Sequence, residues 1–214
     1  MKSHKLTVQK TARYFVLGSA GPAIRQVWFI CHGYGHLGNY FLKQFEPFQN
    51  EAVLFVSCEG LHRFYTNGFS GRVGASWMTK EDREDDIADY IVYLNQVYAK
   101  VMQGLDPAVQ VTAFGFSQGT ATVSRWVGAG ALKINRLVLW AGAFPNDVDL
   151  KLHQERFNQM SNILVAGTQD EYIKEADVNS LKERLDAEGI HYEMIRFEGK
   201  HELHAPILQS LLAL

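Results

Sequence analysis

Short runs of apolar residues recur along the chain, separated by stretches in which apolar positions return every three or four residues. Val27–Cys31 (VWFIC), Val53–Ser57 (VLFVS), Val109–Phe114, Leu137–Trp140, Ile163–Ala166 and His191–Phe197 form the first set. Near-continuous runs of this length suit strands covered on both faces. Leu6–Lys10 and Ala12–Leu17, where β-formers alternate with polar residues, predict an opening hairpin. In the second set, Ile87, Ile91, Leu94, Tyr98 and Val101 make one stripe of a long helix. Val178, Leu181 and Leu185 make another, with Gly189 placed to end it in the left-handed conformation. Leu203, Ile207 and Leu211 predict a closing helix. This alternation predicts an α/β fold with a mainly parallel sheet and helices on both faces. In such sheets ligands bind beyond the carboxyl ends of the strands, so the loops after the strands are where chemistry belongs.

Composition narrows the function. The 214 residues are 47% apolar and 21% charged, which fits one globular domain spanning 1–214 and excludes disorder and coiled coil. Lys and Arg number 21 against 23 Asp and Glu, so the chain lacks the basic excess that nucleic acid or an anionic membrane demands. No apolar run reaches the ~18 residues of a membrane span, and Met1–Lys10 has no apolar stretch of a secretion signal. The expectation is a cytoplasmic protein without stable membrane insertion, its oligomeric state open. Cys31 and Cys58 lack metal-ligand spacing and read as buried reduced thiols.

Gly115-Phe116-Ser117-Gln118-Gly119 follows a strand and opens a helical segment. A serine on such a turn is lifted above the sheet, and small residues two positions either side relieve the crowding. The alternative is a helix N-cap serine between turn glycines. Serine needs a base, and the base an orienting acid. Of eight histidines, His201 follows the last strand directly, with His204 as its nearest rival and His62, in a long loop, also available. Asp170, in Gly167-Thr168-Gln169-Asp170, comes just after a strand. Glu171 is adjacent, and Asp147 and Asp149 offer a second origin for the acid. Ser117, Asp170 and His201 fall in the order Ser…Asp…His, each after its own strand, and the joint pattern is more specific than any member.

Acyl transfer also needs backbone donors for an oxyanion. One is the N–H of Gln118, next to the nucleophile. The other belongs in the glycine-rich loop His32-Gly33-Tyr34-Gly35-His36-Leu37-Gly38, where His32 reads as a brace. A metal site at His32 and His36 lacks carboxylates, and a phosphate cradle lacks the Gly-Lys-Ser/Thr that should follow, so neither metal nor cofactor is expected.

These residues resemble the α/β-hydrolase superfamily, and within it the small carboxylesterase/phospholipase family that also holds lysophospholipases and acyl-protein thioesterases. The motifs that carry the resemblance are VWFICHGYGHLG, GFSQG, AGTQDEYI, FEGKHEL and the tryptophan of SWMTKEDREDDI. It implies Ser117 as nucleophile, His201 as base, Asp170 as its partner, the Tyr34 N–H as second oxyanion donor, and Trp77 as a substrate-pocket wall. The chain departs from the family pattern at Gly35-His36, at Ala141-Gly142 and at Lys200 before the histidine.

Glu59–Lys80 reads as a long irregular loop rich in aromatic residues, either walling a pocket or packing on the core. Only 21 residues separate Trp140 from Asn162, so no large cap fits there. The expected cleft is open and suited to small or monoacyl esters. The run Glu81–Asp86 reads as a helix N-terminus carrying favourable negative charge. The expected activity is serine ester hydrolysis through an acyl-enzyme. Lysophospholipase or acyl-protein thioesterase action with the same triad, and a non-catalytic binding protein on the same scaffold, are the alternatives.

Overall fold

The computed structural model describes residues 1–130 and 132–213. Its main sheet has seven strands: β1 (Tyr14–Leu17), β2 (Gln26–Cys31), β3 (Val53–Cys58), β6 (Gln110–Phe116), β7 (Arg136–Trp140), β8 (Ser161–Gly167) and β9 (Glu193–Phe197). Their order is β1-β3-β2-β6-β7-β8-β9. All neighbours are parallel except β1, which runs antiparallel to β3 at the edge. Five of the apolar runs of the sequence are thus the inner strands, fully buried along β3 and β7, while the sixth, His191–Phe197, forms the edge strand β9 and is largely half-buried rather than covered on both faces.

Side chains alternate between two cores, as the strand period of two requires. Val27, Phe29 and Cys31 of β2 face one core, together with α2 (Arg83–Met102), α3 (Gln118–Ala129), α4 (Gln154–Asn158) and α5 (Glu175–Ala187). Trp28 and Ile30 face the other, with α1 (Gly38–Leu42), the 3-10 turn that follows it, and α6 (Ala205–Ala213). On α2 the deepest residues are Tyr90, Tyr93, Leu94 and Val97, while Ile87, Ile91, Tyr98 and Val101 of the expected stripe flank them half-buried. Gly189 ends α5 with φ +63°. The acidic run does sit at the start of α2, where Asp82 and Asp85 hold the Lys5 ammonium.

Two expectations need correction. Leu6–Lys10 forms no strand: Leu6 and Val8 are exposed, and only Tyr14–Leu17 finds an edge to pair with. The arm is tied down by Lys5 instead of by a ladder. Secondly, Glu59–Lys80 is not irregular. It contains β4 (His62–Asn67) and β5 (Ser70–Ser76), paired as an antiparallel hairpin. The hairpin packs on the glycine-rich loop after β2, where Ala75 and His36 form a β-bridge. A Cβ on Gly74 would sit 2.6 Å from the Gly35 carbonyl oxygen, so glycine is what permits that contact.

Candidate active site

Ser117 stands between β6 and α3 with φ 53° and ψ −118°, a conformation that costs a non-glycine residue roughly 1–3 kcal/mol. The surrounding structure enforces it. The Ser117 N–H donates to the Trp140 carbonyl at 2.9 Å, and the Ser117 carbonyl accepts from the Thr120 N–H at 3.0 Å and its hydroxyl at 2.7 Å. A Cβ on Gly115 would lie 2.4 Å from the Gly119 oxygen, and one on Gly119 2.1 Å from the Cys31 oxygen. Both glycines are therefore demanded by the turn and by its packing on β2.

The loop after β2 reaches the same point. A Cβ on Gly33 would touch the Ser117 Cβ at 3.1 Å and the Phe116 ring at the same distance. The next N–H, that of Tyr34, and the N–H of Gln118 donate to no described group. The loop is braced from behind. His32 accepts the Gly60 N–H at Nε2 (3.0 Å), which leaves Nδ1–H to donate to the Gly33 carbonyl (2.8 Å). Burial holds the His32 pKa down at about 4, so the ring is neutral and can accept. Glu59, buried at the end of β3, accepts the Gly38 N–H at 3.0 Å and pairs with Arg13 at 2.6 Å. The Gln118 side chain ties α3 to the residues after β5 through Trp77 N–H (3.2 Å) and the Met78 carbonyl (3.1 Å).

Asp170 and His201 meet across two loops. His201 Nδ1 lies 2.8 Å from Asp170 Oδ2. The carboxylate only accepts, so Nδ1 carries the proton and Nε2 is left as an acceptor. The other carboxylate oxygen, Oδ1, accepts the N–H groups of Tyr172 (2.8 Å) and Ile173 (3.0 Å), which fixes its orientation. The imidazole stands between Phe116, 5.0 Å away by ring centroids, and Tyr172 at 4.8 Å. Phe116 is the residue before Ser117, so this ring contact brings the imidazole to the elbow. Ser117 Oγ makes no hydrogen bond to His201 here. Such bonds are often long in unliganded enzymes and tighten when substrate binds.

The rival residues are occupied elsewhere. His204 stacks on Phe197 at 5.0 Å, and His62 pairs with Asp86 at 3.0 Å. Asp147 is held by Arg125 and Arg83, which keep its carboxyl below the ordinary range against the opposing effect of burial. Asp149 accepts the Leu152 N–H. Trp77, expected at a pocket wall, is fully buried: its indole N–H donates to the His32 carbonyl at 2.9 Å and its ring packs on His32. It has no surface to offer a ligand and acts as a prop under the loop. Tyr172 and Glu59 carry no individual signal in the sequence as parts of this neighbourhood, apart from the Asx-turn spacing of Tyr172 from Asp170.

Among the described residues no cluster of His, Cys, Asp or Glu could hold a metal ion, and no helix is long and apolar enough to cross a membrane.

The sheet order, the strained serine and the carboxylate–imidazole pair define an α/β-hydrolase. Residues 13–213 match the phospholipase/carboxylesterase family, and the chain belongs to it; the protein is a carboxylic ester hydrolase. Similar solved structures include acyl-protein thioesterase 2 of Zea mays, with TM-score 0.74 and 15% identity, covering 95% of this chain and 98% of that one. Esterase PE8 gives TM-score 0.72 and 21% identity over 95% and 97%. The Bacillus cereus carboxylesterase gives 0.67 and 17% over 94% and 91%. At these identities the likeness is one of fold. No curated protein matches the chain significantly.

Proposed function

We propose that Ser117, His201 and Asp170 are the catalytic triad and that the N–H groups of Tyr34 and Gln118 form the oxyanion hole. The observation that carries this reading is the His201–Asp170 bond at 2.8 Å beside a serine held at φ 53°. His201 Nε2 takes the Ser117 proton as Oγ attacks the ester carbonyl. The tetrahedral oxyanion is stabilised by the two N–H groups, each contributing roughly 3–4 kcal/mol in known cases. On collapse the C–O bond breaks and the leaving alkoxide takes the proton from His201. Water, deprotonated by His201, then attacks the acyl-enzyme, and Ser117 Oγ leaves with its proton restored. Asp170 keeps the proton on Nδ1 and stabilises the imidazolium.

The substrates proposed are small or monoacyl esters, since the 21 residues between Trp140 and Asn162 supply only a short segment with α4 and no cap. The same machinery would cleave thioesters, as the name of the maize neighbour suggests. A reducing, cytoplasmic setting is part of this reading, because two cysteines, Cys31 and Cys58, cannot make the disulfide scaffold of an oxidising compartment. The decisive experiment pairs Ser117→Ala with a fluorophosphonate probe. Wild type should label at Ser117 and turn over short nitrophenyl esters, and the variant should do neither while melting cooperatively. Normal turnover by the variant would refute the assignment.

A further inference from the structure

Beside the elbow lies a cavity of about 380 Å³, lined by His36, Tyr40, Gln44 and Arg72 among others. It is one aromatic layer from the catalytic imidazole. His36 stacks on Phe116 at 5.9 Å, and Phe116 also contacts His201, at 5.0 Å. The hairpin delivers Arg72 here because Gly74 and Ala75 lock onto Gly35 and His36: the Gly35 N–H donates to the Ala75 carbonyl (2.8 Å), and the Ala75 N–H to the His36 carbonyl (3.0 Å).

The charge on this wall is one-sided. Ten arginines occur in the chain. Nine are engaged by carboxylates or backbone carbonyls. Arg72 alone has no such partner for its guanidinium among the described residues. No Asp or Glu lines the cavity. A second cation, Lys43, sits over the Tyr40 ring at 5.4 Å and is in no ion pair with a described residue. His36 adds no charge of its own: burial, then Arg72 and His201, lower its pKa, so it is a neutral hydrogen-bonding group. A guanidinium fork facing a cavity without a carboxylate is suited to a planar or tetrahedral oxyanion.

We propose that Arg72 makes this cavity a subsite for esters that carry an anionic carboxylate or phosphate group away from the scissile bond. This rests on the assignment of Ser117 as nucleophile, because the cavity gains its meaning from its distance to that site. Arg72 is a specificity residue here and takes no part in proton transfer.

Two matched pairs of substrates test it: monomethyl adipate against methyl hexanoate, and hexanoylglycerol phosphate against hexanoylglycerol. In wild type at low salt, kcat/KM should favour the anionic member of at least one pair, and which pair responds tells carboxylate from phosphate. Arg72→Gln should lower that anionic-to-neutral ratio roughly tenfold, the order of a charge-assisted hydrogen bond in a half-open site. Arg72→Lys should restore part of it, and added salt should erode it. A ratio unmoved by Arg72→Gln in both pairs overturns the proposal. The same esters titrated calorimetrically onto Ser117→Ala, with and without Arg72→Gln, separate the two readings. Arg72-dependent binding of an anionic ester that wild type does not hydrolyse keeps the subsite and removes the nucleophile assignment. Hydrolysis without Arg72-dependent binding does the reverse.

Discussion

Gly33 and Ser117 bring the two loops of the site into contact: a single added methyl on the glycine would stand 3.1 Å from the serine Cβ. The loop after β2 and the elbow after β6 come this near because their strands are adjacent and in register, with Cys31 opposite Gly115. The carbonyl of Cys31 in turn packs against Gly119, so strand pairing, elbow and the loop proposed to hold the oxyanion are one mechanical unit.

Gly33→Ala should therefore impair chemistry more than folding. With Tyr34 as the proposed oxyanion donor, the new methyl pushes its N–H away from the reacting carbonyl. We expect kcat to fall by about a hundredfold, the scale of losing one oxyanion donor, with the thermal midpoint within a few degrees of wild type. Steady-state kinetics and a melting curve check both halves.

Gly119→Ala should have the opposite character. Its Cβ would sit 2.1 Å from the Cys31 carbonyl oxygen, a contact between backbone atoms that no rotamer change relieves. Overpacking costs roughly 1–3 kcal/mol, and more where rigid backbone cannot yield, so the variant should be largely insoluble or melt far below wild type. A soluble variant with an unchanged midpoint would contradict the geometry.

Asp170→Asn keeps an oxygen for the Tyr172 and Ile173 N–H groups but no longer fixes the proton on His201 Nδ1. A drop in kcat of about ten-thousandfold is expected, with far-ultraviolet circular dichroism unchanged.

His32 sets an acid limit on stability. Its pKa is lowered from 6.5 in the unfolded chain to about 4 by burial. Between these values the unfolded state binds the proton and the folded state does not. Stability is thus complete above pH 6.5 and falls as the pH drops toward 4, by a total on the order of 3 kcal/mol. His36 is shifted in the same direction and adds to the slope. Urea midpoints of wild type measured between pH 7 and 4 should fall more steeply than those of His32→Gln.

The two thiols should be silent in the folded protein. Burial raises the Cys58 pKa to about 12 and lifts that of Cys31 well above its ordinary value. A chromogenic disulfide reagent at pH 8 should react with neither until urea is added, and then with both.

Most of the strands and the elbow could be read from the chain because their signals are local. Continuous burial on both faces leaves runs such as VLFVS, and a sharp strand-to-helix turn leaves glycines at fixed offsets from its serine. The β4–β5 hairpin left a weaker trace. Four of the six side chains of β4 and the first three of β5 face solvent, so no apolar run marks the strands, and the signals are those of the turn: Asn67-Gly68, with Gly68 at φ +61°, and Gly71 at φ +86°. Trp77 was misplaced for a related reason. Its aromatic neighbours Tyr65 and Phe69 are exposed, whereas its own ring is buried under His32, and a residue list does not distinguish the two.

By itself the sequence determined the periodicities, and through them the parallel sheet, the three loops that carry the candidate residues and the order of serine, aspartate and histidine. Tertiary structure alone decided which candidates meet. Asp147 and His62 were equal to Asp170 and His201 in chemistry, but salt bridges to Arg125 and Asp86 hold them elsewhere. It also decided that Arg72 faces a cavity with no carboxylate in its lining. Contacts between residues distant in sequence depend on how strands are ordered and loops are packed, and that information is spread over the whole chain rather than written at any one position.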